Sequence, residues 1–401
     1  MTSSKAPATP AAPGDRLLLT QVPPAADLGW ARITWRKLAA DDPLALVRSI
    51  VAWRGGYIAV GAPVPTGASS TTPVWTSTDG GAWQPVGPDQ FGSSALLLGV
   101  GETAGGLVAL TLEGGVNACG GSTYELDCWT PALPFQAWAS SDGTTWTSHP
   151  GPDIELNSIC EECGVEPPTF GAGQPGLVVI GAETAVSSDG VSWEVLESSG
   201  FPAGDDARSG TMVAFGSGFV AVGERNIKIG DEAGTQAIGY RSTDGRSWAA
   251  TRMVIARPAE HGTGASSLVA GSAGLIAKGS TAGDPGAELW WSSPDGSTWT
   301  ELLDYPPLGT WHGQAQGSGA SENGTLVGNG DRMLAYRSDS GEAAWTSFDG
   351  VTWEQLAVDG EAPIWGDVQH PDLILLSVGV LGFGHDGAVW IGEPEAELEL
   401  E

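Results

Sequence analysis

Seven stretches of the chain open on a glycine and continue as short apolar runs: Gly56-Tyr57-Ile58-Ala59-Val60, Gly106-Leu107-Val108-Ala109-Leu110, Gly176-Leu177-Val178-Val179-Ile180, Gly218-Phe219-Val220-Ala221-Val222, Gly274-Leu275-Ile276-Ala277, Gly324-Thr325-Leu326-Val327 and Gly379-Val380-Leu381-Gly382-Phe383. Runs this short, rich in Val, Ile and Leu, predict buried β-strands and not helices. A polar phrase alternates with them. It comprises an aromatic residue or a substitute, then Ser, Asp-Gly and Trp, from Trp75, Ser77, Asp79, Gly80 and Trp83 in the first copy to Trp345, Ser347, Asp349, Gly350 and Trp353 in the last. Each phrase predicts two strands joined by a turn in which glycine supplies the positive φ. In Ser293-Pro294-Asp295-Gly296 the proline fits the second position of a type I turn, leaving the glycine as a left-handed bulge residue.

The six phrases centre on Asp79, Asp142, Asp189, Asp244, Asp295 and Asp349, 47 to 63 residues apart. A period near fifty points to a propeller and not to a helical solenoid. Seven glycine-led strands against six phrases are reconciled if one repeat is split between the chain ends. Ile33-Thr34-Trp35-Arg36-Lys37-Leu38 reads like Val351-Thr352-Trp353-Glu354-Gln355-Leu356, and Ala388-Val389-Trp390-Ile391 is a strand in want of a partner. The expected fold is all-β: a seven-bladed β-propeller of four-stranded antiparallel blades, the last closed by the N-terminal strand, which leaves no exposed sheet edge. Residues 1–29 read as a flexible Ala/Pro-rich tether, 30–392 as the propeller and 393–401 as an acidic tail. The motif Trp and Ser are expected to hold neighbouring outer strands together, not to touch a ligand.

Ser140-Ser141-Asp142-Gly143-Thr144-Thr145-Trp146 resembles the Asp-box of the sialidase-like (BNR) propellers, Ser-x-Asp-x-Gly-x-x-Trp, with one residue fewer between Asp and Trp in every copy. The resemblance covers most of Trp30 to Gly392 and implies a propeller whose boxes lie on the face away from any active site. It also implies, for the catalytic members, an arginine triad, a Tyr nucleophile activated by Glu, and an acidic proton donor. Arg48, Arg208 and Arg257 near inner strand starts, and Tyr305 in a connecting loop, sit in unlike contexts, so no motif carries those roles over. The expectation is a non-catalytic member.

With 48 acidic and 17 basic residues the net charge is −31, which repels phosphate backbones and anionic lipid. Nucleic-acid binding and membrane insertion are therefore not expected. No hydrophobic stretch resembles a leader or a membrane span. The Ala/Pro-rich tether nevertheless fits a secreted or envelope-associated protein whose export signal lies outside the chain as given. Cys119 and Cys128 lie in the longest insertion, and Cys160 and Cys163 bracket two glutamates. Local disulfides, 119 with 128 and 160 with 163, are the first expectation, implying an oxidising compartment. A structural zinc is the rival, although the unequal Cys-x8-Cys and Cys-x2-Cys spacings suit zinc ribbons poorly.

Loops carried by a rigid scaffold collect function. Those expected to meet around a central funnel bring Asp41, Asp42, Asp205, Asp206, Arg208, Glu260, His261, Trp311, His312, Trp365, Asp367 and His370. Asp205, Arg208, Glu260, His261, Trp311, His312, Trp365, Asp367 and His370 are the candidate ligand-binding set, read as a metal or sugar site with His261, His312 and His370 as ligands or hydrogen-bond partners and the two Trp as stacking platforms for a saccharide ring. Against this stands the plain reading that polar loops contain histidines and that the Trp cap inner strands. No nucleotide, calcium or Ser-His-Asp pattern appears, so neither cofactor nor resident metal is expected. The functional expectation is a monomeric, extracytoplasmic propeller presenting a funnel to a glycan or protein partner. The alternative is a glycan-processing hydrolase acting in that funnel, which would need two carboxylates facing each other across about 5–9.5 Å.

Overall fold

The computed structural model describes residues 30–37, 47–53, 56–61, 64–66, 69–71, 73–78, 83–86, 91, 95–103, 105–113, 135–156, 158–160, 164–165, 168–197, 201, 207–229, 232–256, 262–281, 288–303, 324–337, 343–360, 372–375, 379–383 and 389–395. Among these every regular element is a β-strand. The N-terminal strand is β1 (Arg32–Lys37). A first four-stranded sheet follows, with β2 (Val47–Trp53), β3 (Gly56–Gly61), β6 (Val74–Ser77) and β7 (Gln84–Val86), and the small hairpin β4 (Val64–Thr66) with β5 (Ser69–Thr71) grows from its middle connection. The second sheet is β8 (Ala95–Thr103), β9 (Gly106–Glu113), β10 (Phe135–Ser140) and β11 (Thr147–Pro150). After it come a two-stranded ribbon, β12 (Ser158–Cys160) with β13 (Gly164–Val165), and the third sheet, β14 (Thr169–Gly173), β15 (Gly176–Ile180), β16 (Thr184–Ser187) and β17 (Glu194–Leu196). The fourth is β18 (Ala207–Phe215), β19 (Gly218–Ile229), β20 (Glu232–Ser242) and β21 (Ala249–Arg252). The fifth is β22 (Thr263–Ala270), β23 (Leu275–Thr281), β24 (Glu288–Ser293) and β25 (Thr300–Glu301).

The remaining strands form one eight-stranded sheet. Its first half is β26 (Gly324–Gly328), β27 (Met333–Arg337), β28 (Ala343–Ser347) and β29 (Glu354–Gly360); its second is β30 (Asp372–Leu375), β31 (Val380–Phe383), β32 (Val389–Glu395) and β1. The chain ends meet here: β1 runs antiparallel to β32, with Trp35 opposite Gly392 and Lys37 opposite Trp390. It also runs parallel to β29, with Arg32 opposite Ala357 and Trp35 opposite Gly360. The segment expected as a tail thus supplies strand residues as far as Glu395. One glycine-led run belongs elsewhere than its pattern implied. Gly324-Thr325-Leu326-Val327 forms β26, the first strand of its group, and the second-strand position is filled by β27, which Arg332 precedes.

Packing repeats from sheet to sheet. First strands contact one another in the order β2, β8, β14, β18, β22, β26 and β30. Ile58, Val60, Leu107 and Trp146 share a core between the first and second sheets, and Val178, Phe219, Tyr240 and Trp248 one between the third and fourth. Val220, Leu275, Trp291 and Trp299 do the same between the fourth and fifth. The motif Trp therefore fills the space between whole sheets, a correction to the expectation that it ties outer strands. Burying one Trp removes 150–250 Å² from water, worth about 4–6 kcal/mol before entropy costs.

The two sequence signatures are parts of one joint. In each of the five four-stranded sheets, the residue after the strand-opening glycine stands opposite the motif serine: Tyr57 and Ser77, Leu107 and Ser140, Leu177 and Ser187, Phe219 and Ser242, Leu275 and Ser293. Side chains added at Gly56, Gly106, Gly176 or Gly218 would strike the carbonyl of that serine. The turn glycine in turn presses on the preceding sheet: Gly143 on Ile58, Gly190 on Val108, Gly245 on Val178, Gly296 on Val220 and Gly350 on Ile276. All five have φ between 73° and 76°.

Gly216 shares the positive φ, 59°, but a side chain there would enter open space. Gly216→Ala should therefore cost about 1 kcal/mol of backbone strain alone. Gly190→Ala should cost about 3 kcal/mol or more, because overpacking against Val108 adds to it. Denaturant unfolding compares them, and equal costs would show that the turn is not the joint between sheets.

Candidate functional site

The motif turns hold a regular series of carboxylates. In five of them the serine hydroxyl accepts the glycine N–H at 2.8 Å, from Gly143, Gly190, Gly245, Gly296 and Gly350. The same hydroxyl donates to the aspartate, as from Ser140 to Asp142 at 3.1 Å. The carboxylate then accepts the next two free amides: Thr144 and Thr145 at 2.8 and 2.7 Å on Asp142, Val191 and Ser192 both at 2.8 Å on Asp189. The serine thus caps its own turn and does not bridge strands, contrary to expectation. The Trp248 and Trp353 indoles close the loop by donating to the carbonyls of Gly245 and Gly350 at 3.1 and 2.9 Å.

These bonds favour the charged form. The Thr145 and Thr144 amides hold Asp142 well below the usual carboxylate range, and the Ser192 and Ser247 amides do so for Asp189 and Asp244. At Asp295 and Asp349 burial pushes upward, but the amides of Ser297 and Thr298, and of Thr352 and Val351, outweigh it. A carboxylate so engaged is a turn component and a poor proton donor.

Strand order sets the candidate loops at the opposite end of the sheets from the motif turns. Turns joining third and fourth strands lie at one end, so connections from second to third strands, and from one sheet to the next, lie at the other. Here β19 and β20 outreach their counterparts: the pairs from Glu224–Ala237 to Ile229–Glu232 extend past the last residue opposite β21. Since β18 pairs with β19 as far as Arg225, roughly 13 Å of hairpin, Asn226 to Ile229, stands beyond both flanking strands. Alternation puts Arg225, Ile227 and Ile229 on one face and Glu224, Asn226 and Lys228 on the other. Arg225 is exposed and donates to Gln236 Oε1 at 3.2 Å, fixing the amide of a side chain that is itself 9% exposed. Burial pushes the Tyr240 hydroxyl beneath it up to about 12, with Arg225 pulling weakly the other way.

The hairpin is braced against the fifth sheet. Thr235 pairs with Gly262 in a parallel bridge, and the Ala237 amide donates to Thr263 Oγ1 at 3.0 Å. Gly262, at φ 111°, has Thr235 backbone where a side chain would be. Farther in, register shifts in the first strands of the first, second, fourth and fifth sheets mark β-bulges. Two of them touch, Thr211 Oγ1 donating to Ser266 O at 3.0 Å. Bulges re-aim side chains next to sites.

Of the candidate set, the structure places the backbone of Arg208, on β18 opposite Glu224. Asp205, Glu260, His261, Trp311, His312, Trp365, Asp367 and His370 lie outside the described residues, as do Asp41, Asp42, Asp206, Arg257, Tyr305, Cys119, Cys128 and Cys163. Arg48 is placed only as backbone in β2, and Cys160 as the last residue of β12. Glu224, Arg225 and Gln236 were missed: the 24 residues from Gly218 to Ser242 are fewer than the 34 from Gly106 to Ser140, so spacing did not single this hairpin out. Among the described residues there is no cluster of His, Cys, Asp or Glu able to hold a metal ion, and no helix long and apolar enough to cross a membrane.

Comparisons with known protein families and with curated proteins found no match. Solved structures resemble the chain weakly. YCF48 bound to a D1 peptide is 14% identical with a TM-score of 0.48, covering 92% of this chain and 97% of that one. The β-propeller domain of the Trilobed protease from Pyrococcus furiosus is 8% identical with a TM-score of 0.46, covering 89% and 98%. The Trypanosoma rangeli sialidase in complex with sialic acid is 13% identical with a TM-score of 0.38, and the match spans 93% of this chain but 58% of the sialidase. At this level none of them assigns an activity.

The depressed motif aspartates give a signed pH dependence. Near the ordinary value of 3.8 the unfolded chain binds protons that the folded chain refuses, so this stabilisation is complete above that range and is lost as pH falls toward the folded values. Asp142→Asn should flatten the rise of unfolding free energy between about pH 2 and 4. Urea melts across that window measure it, and an unchanged slope would refute the role given to the carboxylate.

Proposed function

We propose that the chain is a seven-bladed propeller, its last blade completed by β1, which binds a glycan or protein partner without catalysis at the end opposite the motif turns. The five four-stranded sheets and the two halves of the eight-stranded sheet are then the seven blades. The observation that carries the binding reading is the braced β19–β20 hairpin: it projects an exposed guanidinium and a pair of isoleucines from a rigid base. A preorganised arm of this kind loses little entropy on binding. The motif carboxylates favour the same reading, since amide donors already occupy them. Export from the cytoplasm, with Cys119, Cys128, Cys160 and Cys163 oxidised, belongs to this proposal.

A glycan array and an affinity pull-down with the full chain test it. Arg225→Ala and Ile227→Ser should each weaken the captured partner about tenfold, the loss of roughly 1.4 kcal/mol. Turnover of fluorogenic glycosides that Asp367→Asn or Arg208→Ala abolishes would overturn the non-catalytic reading. Unaltered partner affinity in both hairpin variants would remove the hairpin from the site.

A further inference from the structure

Five of the contacts between successive sheets use a turn glycine set on the second strand of the sheet before: on Ile58, Val108, Val178, Val220 and Ile276. The next position in that series is Leu334 on β27. No such turn can be made for it, because the strand beside β32 is β1, which arrives from the other end of the chain and not through a Ser-Asp-Gly connection.

Something else fills the place. Met333 stands opposite Ser347, which puts Arg332 at the register position held by Gly56, Gly106, Gly176, Gly218 and Gly274 in the other sheets. Arg332 is 6% exposed. Its Nη1 donates to Thr346 Oγ1 at 3.0 Å, and its guanidinium carbon lies 4.5 Å from the centre of the Phe348 ring and 5.0 Å from that of Trp30. Trp30, two residues before β1, is buried in the same core as Leu334, Ile33 and Leu356. Planar guanidinium stacking on aromatic faces is the geometry that arginine provides and lysine does not.

Beyond Trp30 the strand pairs with β29 and β32 and buries Ile33 and Trp35, and its exposed face is held by charge. Arg32 pairs with Asp359, Arg36 Nη2 lies 3.1 Å from Glu393 Oε1, and Lys37 sits 4.9 Å above the Trp390 ring. Both ion pairs are about half exposed, so salt screens them.

We propose that Trp30, Arg332 and Phe348 form a clasp that replaces the missing turn joint, making β1 a strap that is released as a unit when the clasp opens. The clasp extends the buried side of the strand, Ile33 and Trp35, to its N-terminal end, and the ion pairs are the screened part. The inference rests on pairings within the chain and is independent of what the hairpin end binds.

Native-state hydrogen exchange of the full chain tests it, comparing residues 32–37 with the third-sheet strands β16 and β17. Arg332→Gly, which installs the residue used at the equivalent positions, should speed exchange in 32–37 about tenfold or more and leave β16 and β17 unchanged. Trp30→Ala should do the same, and the double variant should add little to either, because the two side chains act together. Trp30→Phe keeps a ring and should retain most of the protection, so misfolding of the harsher variants does not decide the matter. Trypsin cleavage at Arg32 and Arg36 should follow the same order, and 1 M salt should accelerate it in Trp30→Ala more than in the parent. Unchanged exchange at 32–37 in both Arg332→Gly and Trp30→Ala, or an equal acceleration in β16 and β17, would overturn the clasp.

Discussion

A glycine without a side chain is what lets one sheet rest on the next. Gly190, Gly245, Gly296 and their equivalents sit at positive φ at the tip of a turn and bring backbone directly onto Val108, Val178 and Val220. The serine and aspartate beside each glycine exist to keep the turn closed: they consume the amides that the tight bend leaves without strand partners. Since a buried unpaired amide costs free energy comparable to a lost hydrogen bond, the motif trades side-chain polarity for backbone satisfaction. That is why Oδ1 of each carboxylate is committed to the turn.

The eight-stranded sheet shows how the rule bends where the chain ends meet. Fourth strands elsewhere are short, whereas β29 runs on from Glu354 to Gly360 and gives β1 a parallel partner. A basic strand is laid between acidic neighbours in a chain of net charge −31, so part of the general self-repulsion is relieved at this seam. Arg332 belongs to the same adjustment. Where five sheets need glycine, this one needs a side chain to meet Trp30.

At the other end of the sheets, distinctness replaces repetition. The β19–β20 hairpin, the β4–β5 hairpin and the β12–β13 ribbon are three different additions to one scheme. Variation confined to one end of a repetitive scaffold is the usual division between parts that pack and parts that recognise. Only the hairpin of the fourth sheet is tied to its neighbour by a described bridge, through Thr235 and Gly262, and this rigidity makes its exposed residues the first place to look for a partner.

The sequence by itself determined the strands, their period and the juxtaposition of Ile33–Lys37 with the last strand, because alternating apolar runs and Asp-Gly turns are local signals whose meaning does not depend on distant residues. It misassigned Gly324, since a glycine before apolar residues reads alike on a first or a second strand and the pairing partner decides between them. It read the motif serine as a bridge for a similar reason: which amides lack partners is known only once the turn is closed. Arg332 and the reach of the β19–β20 hairpin were beyond sequence patterning. An arginine is ordinarily a surface residue, and only tertiary packing against Trp30 and Phe348 made burial of this one favourable.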